Sequence, residues 1–341
     1  MVLAPWIGRR TDRTGRRLPT LGVTTAIAVL ATAGLASFSP TVTLLFLGVG
    51  LIGVNSGSAV YDSLLPTVSD PTTRARISGL GVGIGYLGSF VGLGLGLLAF
   101  EVFDAGYPTT FRLLALGFFV FSIPIFIWVR EQPAQPSTSQ LLGPFRNLVA
   151  AWRRAARTPG VLRFLTGRFL YTDAINTLIG GFLALFVLTE LQLSTREVNN
   201  LLAVAIVAAI GGGLGGGRLT RRLGARRTLR WVLLLWVAAL GLGAFTAAIG
   251  ATWLIWIVGV LGGLALGATW TADRVLMLEL SPPEHIGEFY GLYATVGRFA
   301  TILGPLVWAA VVDLLGWGRT AALLILAGFI FTGWWVIGTE D

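Results

Sequence analysis

Ten apolar runs, each near the ~20 helical residues needed to cross a hydrocarbon core, follow one another along the 341-residue chain. Their approximate limits are residues 20–38, 41–61, 77–100, 111–129, 161–188, 198–216, 228–249, 252–273, 288–312 and 318–338. Charged and Pro/Gly-rich breaks separate them. With 55% hydrophobic and 12% charged residues, no soluble domain of this length could bury its apolar side chains, so the solvent must be lipid. The runs are continuous and lack the two-residue alternation of a transmembrane barrel, which leaves helices as the spanning structure. The expected fold class is an all-α polytopic membrane protein.

The same composition excludes several chemistries. There is no cysteine, and His285 is the only histidine, so thiolate and His-based metal sites have no ligands. All 25 basic residues are arginine, and a phosphate-binding P-loop needs a lysine. No cofactor is expected. A net charge of +9 would suggest nucleic acid in a soluble protein, but here the charges sort by loop. If the runs alternate in direction, only Arg112, Arg196 and Arg319 flank one side, while the remaining loop arginines gather on the other. Arginine-rich loops stay cytoplasmic, so that side and the C-terminus are expected to face the cytoplasm of a cell membrane. The expected partners are a small-molecule solute, membrane lipid and protons, with no nucleic acid and a monomeric chain.

The chain repeats itself. Gly8-Arg-Arg-Thr-Asp12-Arg13-Thr-Gly15-Arg16-Arg17 is echoed 209 residues on by Gly217-Arg-Leu-Thr-Arg221-Arg222-Leu-Gly224-Ala-Arg226-Arg227. Ser69-Asp-Pro71 and Gly79-Leu80 are echoed 212 residues on by Ser281-Pro-Pro283 and Gly291-Leu292. Internal duplication of this kind marks many transporter folds. Two apolar runs precede the motif in the second half, and only seven residues precede it in the first, so about 55–60 residues carrying two helices are expected to be missing upstream of Met1. A mature ten-helix protein is the alternative. The runs are therefore numbered helices 3 to 12, in an N-terminal bundle over 1–130, a linker over 131–160 and a C-terminal bundle over 161–341. Residues 130–136 read as linker. Residues 140–157 read as an interfacial amphipathic helix, with Leu141, Leu142, Phe145, Leu148, Val149 and Trp152 on one stripe and Arg146, Arg153, Arg154 and Arg157 on another.

The loop Gly8 to Arg17 resembles the signature loop between helices 2 and 3 of the major facilitator superfamily. Four further segments sharpen the likeness: Tyr61-Asp-Ser-Leu-Leu-Pro66; Arg76-Ile-Ser-Gly-Leu-Gly81 with Gly85-Tyr-Leu-Gly88; Phe169-Leu-Tyr-Thr-Asp173-Ala-Ile-Asn176-Thr; and Gly287-Glu-Phe-Tyr-Gly-Leu-Tyr293 with Ile302-Leu-Gly-Pro305. Together they resemble the vacuole-effluxer-like branch, from Gly8 to about Asp313. The resemblance implies a twelve-helix fold in two pseudosymmetric bundles working by alternating access, about ten helices being present here. It also implies transport of a small solute, amino acids or other metabolites being the lead. Arg221 departs from the pattern by replacing the acid of the second motif. A non-transporting remnant of such a protein and a membrane-embedded enzyme are the alternatives, the latter poorly supplied with catalytic groups.

A transporter needs polar groups inside its apolar helices. Helix 7 offers Arg168, Tyr171, Thr172, Asp173, Asn176 and Thr177. Asp173 is the leading candidate for a coupling carboxylate, which the resemblance supports; the plainer reading is an ion pair with Arg168. Arg298 in helix 11 could hold a substrate carboxylate or reach back to the interface. Asn55 in helix 4 could serve a cavity or helix packing. Shifting by 212 residues places Asp62 on Arg274 and Arg76 on Glu288, opposite signs at equivalent helix ends, which suggests a gate built from these pairs. Gly8, Asp12, Arg13, Gly15 and Arg16 belong to the signature loop, where Asp12 could accept hydrogen bonds at a neighbouring helix N-terminus. The glycines of helix 5 suit close packing, Pro124 and Pro305 suit kinks, and His285 reads as an exposed loop residue.

Overall fold

The computed structural model describes residues 3–131 and 143–338. Among them there is no strand, and nine helices are long and apolar enough to cross a membrane. The first run expected from the sequence becomes a shorter apolar helix of 17 residues, Leu18–Gly34. Large apolar side chains such as Leu30, Phe121, Trp128, Leu306 and Trp335 are more than 60% exposed, which only hydrocarbon surroundings accommodate. Met1, the linker stretch 132–136, Leu141 and Leu142 lie outside the described residues.

In chain order the helices are α1 (Leu3–Thr14), α2 (Leu18–Gly34), α3 (Pro40–Ser63), α4 (Leu65–Val68), α5 (Arg74–Leu97), α6 (Tyr107–Trp128), α7 (Pro144–Arg157), α8 (Val161–Thr177), α9 (Leu183–Glu190), α10 (Thr195–Leu223), α11 (Ala225–Ile249), α12 (Leu254–Leu280), α13 (Ile286–Phe299), α14 (Leu303–Ala309) and α15 (Arg319–Ile337). Contacts divide the chain into two compact units.

The first unit comprises Met1–Asp70, Leu87–Arg157 and Ser281–Thr295. Its core is Leu21, Val60 and Leu64 from α2, α3 and the α3–α4 junction, with Ile7, Leu18 and Ile125 packed against them. Small residues let α2 and α3 touch backbone to backbone: a Cβ on Gly53 would lie 2.9 Å from the Thr24 carbonyl oxygen. The turn into α2 needs a left-handed residue, and Gly15 supplies it at φ 64°. Glu131 then accepts the Arg17 and Leu18 backbone N–H groups, the latter at 3.0 Å, placing a carboxylate where the α2 dipole favours negative charge. The amphipathic helix forms as α7, burying Asn147, Ala151 and Ala155.

The second unit comprises Pro71–Tyr86, Thr158–Leu280 and Val296–Asp341. Its closest crossing is that of α10 with α12, where a Cβ on Gly212, Gly263 or Gly267 would come within 2.1, 2.2 or 2.0 Å of a facing carbonyl oxygen. Packing is the main source of helix association in lipid, and only glycine allows this approach. Of the helix 5 glycines, Gly79 is fixed in the same way against α10, whereas Cβ atoms on Gly85, Gly88, Gly92, Gly94 and Gly96 would meet nothing within 4 Å. Pro124 lies inside a continuous α6. Helix 11, by contrast, breaks after Phe299 and resumes as α14 at Leu303. Pro305, in the first turn of α14, lacks a donor and clashes with the carbonyl four residues back, which accounts for the break.

Candidate functional site

The polar residues of helix 7 meet the break in helix 11. A broken helix leaves unsatisfied carbonyls at the end of one segment and unsatisfied N–H groups at the start of the next, which in lipid must find partners. Asn176 Nδ2 donates to the Ala300 carbonyl at 3.0 Å and the Gly297 carbonyl at 3.4 Å, closing the end of α13. Asp173 Oδ1 accepts the Leu303 N–H at 3.1 Å, opening α14 with a carboxylate at its positive end. The spacing of three residues puts both side chains on one face of α8. Thr177 donates to the Asp173 carbonyl, and a Cβ on Gly304 would lie 2.0 Å from its hydroxyl, so α14 seats directly on this pair. Asp173 is fully buried, and its Oδ2 has no hydrogen-bond partner among the described residues.

Arg168 does not form the ion pair with Asp173 that is the plainer reading of helix 7. It is buried and joins Asp273 of α12, with its guanidinium 5.8 Å from the Trp270 ring centre. A separation of five residues sets Arg168 and Asp173 on different faces, and each meets its own neighbour. Tyr171 is buried beside Arg168. Asp273 escaped sequence reasoning because it sits at the end of an apolar run beside Arg274, where both read as interfacial charges. Arg298, in the last turn of α13, is exposed and has no ion-pair partner among the described residues. Asn55 is half-buried in α3, its Oδ1 without a hydrogen-bond partner among the described residues.

The second cluster lies at the start of α13. Asp12 accepts the Gly287 and Glu288 backbone N–H groups, each at 2.8 Å, and Arg17 lies 3.3 Å from the same carboxylate. Burial pushes the Asp12 carboxyl up to about 6, against the downward pull of these donors and of Arg17. Gly8 permits the contact, since a Cβ there would fall 1.9 Å from the Gly287 oxygen. Glu288 is fully buried and is neutralised by Arg154 of α7, whose Nε donates at 2.8 Å, with Arg9 at 3.9 Å; Arg9 also donates to Asn147 at 3.0 Å. The partner of Glu288 is therefore Arg154, not the Arg76 suggested by the repeat offset. The amphipathic stripe made Arg154 look like one solvated arginine among four. His285 belongs here too, half-buried with Nδ1 3.7 Å from Glu288, which corrects its reading as an exposed loop residue. Arg13 and Arg16 are exposed, as is Arg76, which lines a cavity with Arg218 and Arg221. Asp62 and Arg274 are both half-buried.

This arrangement of interrupted helices and polar caps sits on the major facilitator fold. The human organic anion transporter MFSD10 (TETRAN) matches over 98% of this chain and 80% of its own with a TM-score of 0.78 at 19% identity. The proton:xylose symporter XylE matches over 98% and 82% with a TM-score of 0.70 at 12% identity. Such identities speak for the fold alone.

Residues 57–339 match the family described as "Vacuole effluxer Atg22 like", and the chain belongs to that family of major facilitator transporters. Autophagy-related protein 22-2 of Aspergillus clavatus is 31% identical over 75% of this chain and 46% of its own length. An uncharacterized transporter of the same superfamily from Bacillus subtilis, YxiO, is 25% identical over 96% of this chain and 79% of its own. The chain spans about half the length of the fungal relatives it matches.

Proposed function

We propose that the chain moves a small zwitterionic solute, an amino acid or similar metabolite, by alternating access, with the helix 7–helix 11 junction as its centre. The observation that carries this reading is the reciprocal capping of one broken helix by Asp173 and Asn176. Broken helices inside a membrane form transport sites because their ends offer groups to a solute that a continuous helix keeps to itself. Asp173 Oδ2, buried and without a hydrogen-bond partner among the described residues, would take a proton or a substrate ammonium when the site opens. Protonation would weaken the cap on the Leu303 N–H and free α14 to pivot, which couples transport to protons. Arg298, five residues before Leu303, would take the substrate carboxylate.

In this reading Asp12, Gly8, Arg9, Arg154 and Glu288 form the latch of the inner mouth, and the pair Asp62 and Arg274 adds to it. The two bundles correspond to 1–130 and 161–341, the arginine-rich side faces the cytoplasm, and the chain works as a monomer in the cell membrane. Its relatives are transporters, a class without catalytic chemistry.

Proteoliposomes loaded with a labelled amino-acid mixture test the proposal. A pH gradient should drive flux in the native chain, Asp173→Asn should lose the gradient response while retaining exchange, and Arg298→Gln should raise KM about tenfold or more. A gradient response that survives Asp173→Asn would remove the coupling role, and silence toward every amino acid would remove the substrate class.

A further inference from the structure

The internal repeat reappears as two equivalent helix crossings. In the first unit, Cβ atoms on Gly8 and Gly291 would meet the Gly287 and Ala4 carbonyl oxygens at 1.9 and 2.6 Å. In the second, their counterparts Gly217 and Gly79 would meet the Ala75 and Gly213 carbonyl oxygens at 2.8 and 2.5 Å. The backbones follow one plan, and the charges do not. Arg9, Asp12 and Glu288 of the first crossing correspond to Arg218, Arg221 and Arg76 of the second.

Both acids have thus become arginines. Arg76, Arg218 and Arg221 line a cavity of about 420 Å³ together with Leu80, Leu214 and Gly217. Among the described residues none of the three arginines has an ion-pair or hydrogen-bond partner. Three like charges around one cavity repel each other, and guanidinium forks match the oxygens of a phosphate. Arg76 also lies in the first turn of the 24-residue α5, whose dipole favours an anion at that end.

We propose that this cavity binds a phosphate group, which takes the place of the carboxylates found in the equivalent crossing. The phosphate comes either from an anionic lipid headgroup, for which Leu80 and Leu214 supply an apolar flank, or from a soluble anion. Its occupancy neutralises the arginines and holds α5 against α10.

The full chain, delipidated in detergent, can be melted by tryptophan fluorescence with inorganic phosphate, short-chain phosphatidylglycerol or short-chain phosphatidylcholine added. The expected result is a rise in Tm with phosphatidylglycerol and none with phosphatidylcholine. A rise with inorganic phosphate alone assigns a soluble anion, whereas a rise confined to phosphatidylglycerol assigns the lipid headgroup. Arg76→Gln, Arg218→Gln and Arg221→Gln should each weaken the apparent affinity about tenfold, with Arg221→Lys, which keeps the charge and loses the fork, falling between glutamine and the native residue. Arg221→Asp, which restores an acid in the second half, should melt higher without ligand and lose the response. An equal rise in native chain and glutamine variants, an equal rise with both lipids, or no rise with any addition would overturn the site.

Discussion

The crossing of α1 with α13 and that of α5 with α10 share a backbone plan and differ in where their countercharge comes from. In the first, Asp12 caps α13 and Glu288 is answered by Arg154 and Arg9, so the contact is complete within the chain. In the second, three arginines occupy the equivalent places and the acids are missing. Repetition preserved what packing requires, glycines facing carbonyls, and released what charge allows. The first crossing thereby balances its charges within the chain, and the second, on the phosphate proposal, depends on its surroundings.

The largest expected effect comes from breaking the shared plan. Gly8→Val or Gly291→Val drives a side chain into facing backbone and should abolish the first crossing, at ~3 kcal/mol or more, seen as lost hydrogen-exchange protection of the α13 amides. Gly92→Ala, whose added methyl would meet nothing within 4 Å, should leave that protection unchanged and serves as the control. Next is Arg154→Ala, which leaves Glu288 buried with only the more distant Arg9 and His285. Removing one partner of a buried pair costs about 3–5 kcal/mol, so a fall in Tm is expected, largely recovered in the double variant with Glu288→Gln.

Asp12→Asn separates charge from shape. The buried carboxyl is protonated more readily than an exposed one, so the crossing gains stability as pH falls; this gain is complete below about pH 4 and is lost as pH rises through about 6. Protection of the Gly287 and Glu288 amides, taken relative to intrinsic exchange at each pH, should therefore fall between those limits in the native chain and stay constant in Asp12→Asn. The smallest effect should be that of Arg13→Gln, an exposed charge, within about 0.5 kcal/mol by Tm.

The apolar runs alone told the fold class, and the repeat offset paired the glycines and charges that the two crossings share without showing where helices cross. It also singled out Asp173 and Asn176, because polar groups in lipid-facing helices are costly enough to stand out. Their partners were not legible, since a backbone N–H freed by a break around residue 301 has no signature beyond Pro305. Opposite signs at Arg76 and Glu288 suggested a pair, yet offsets say which residues are equivalent, not which ones meet. Arg154 and Asp273 were hidden for a related reason: a charge among other charges at a helix end looks solvated until the neighbouring helix is known.

The absence of cysteine makes the most direct test accessible, because spin labels can be placed on single introduced thiols. Labels at Arg16 and Glu284 report the distance between the signature loop and the start of α13. Alternating access predicts two distance populations in proteoliposomes, with the longer one growing as pH rises through about 6 and on adding transported solute. A single short distance, unmoved by pH or by solute, would contradict the account.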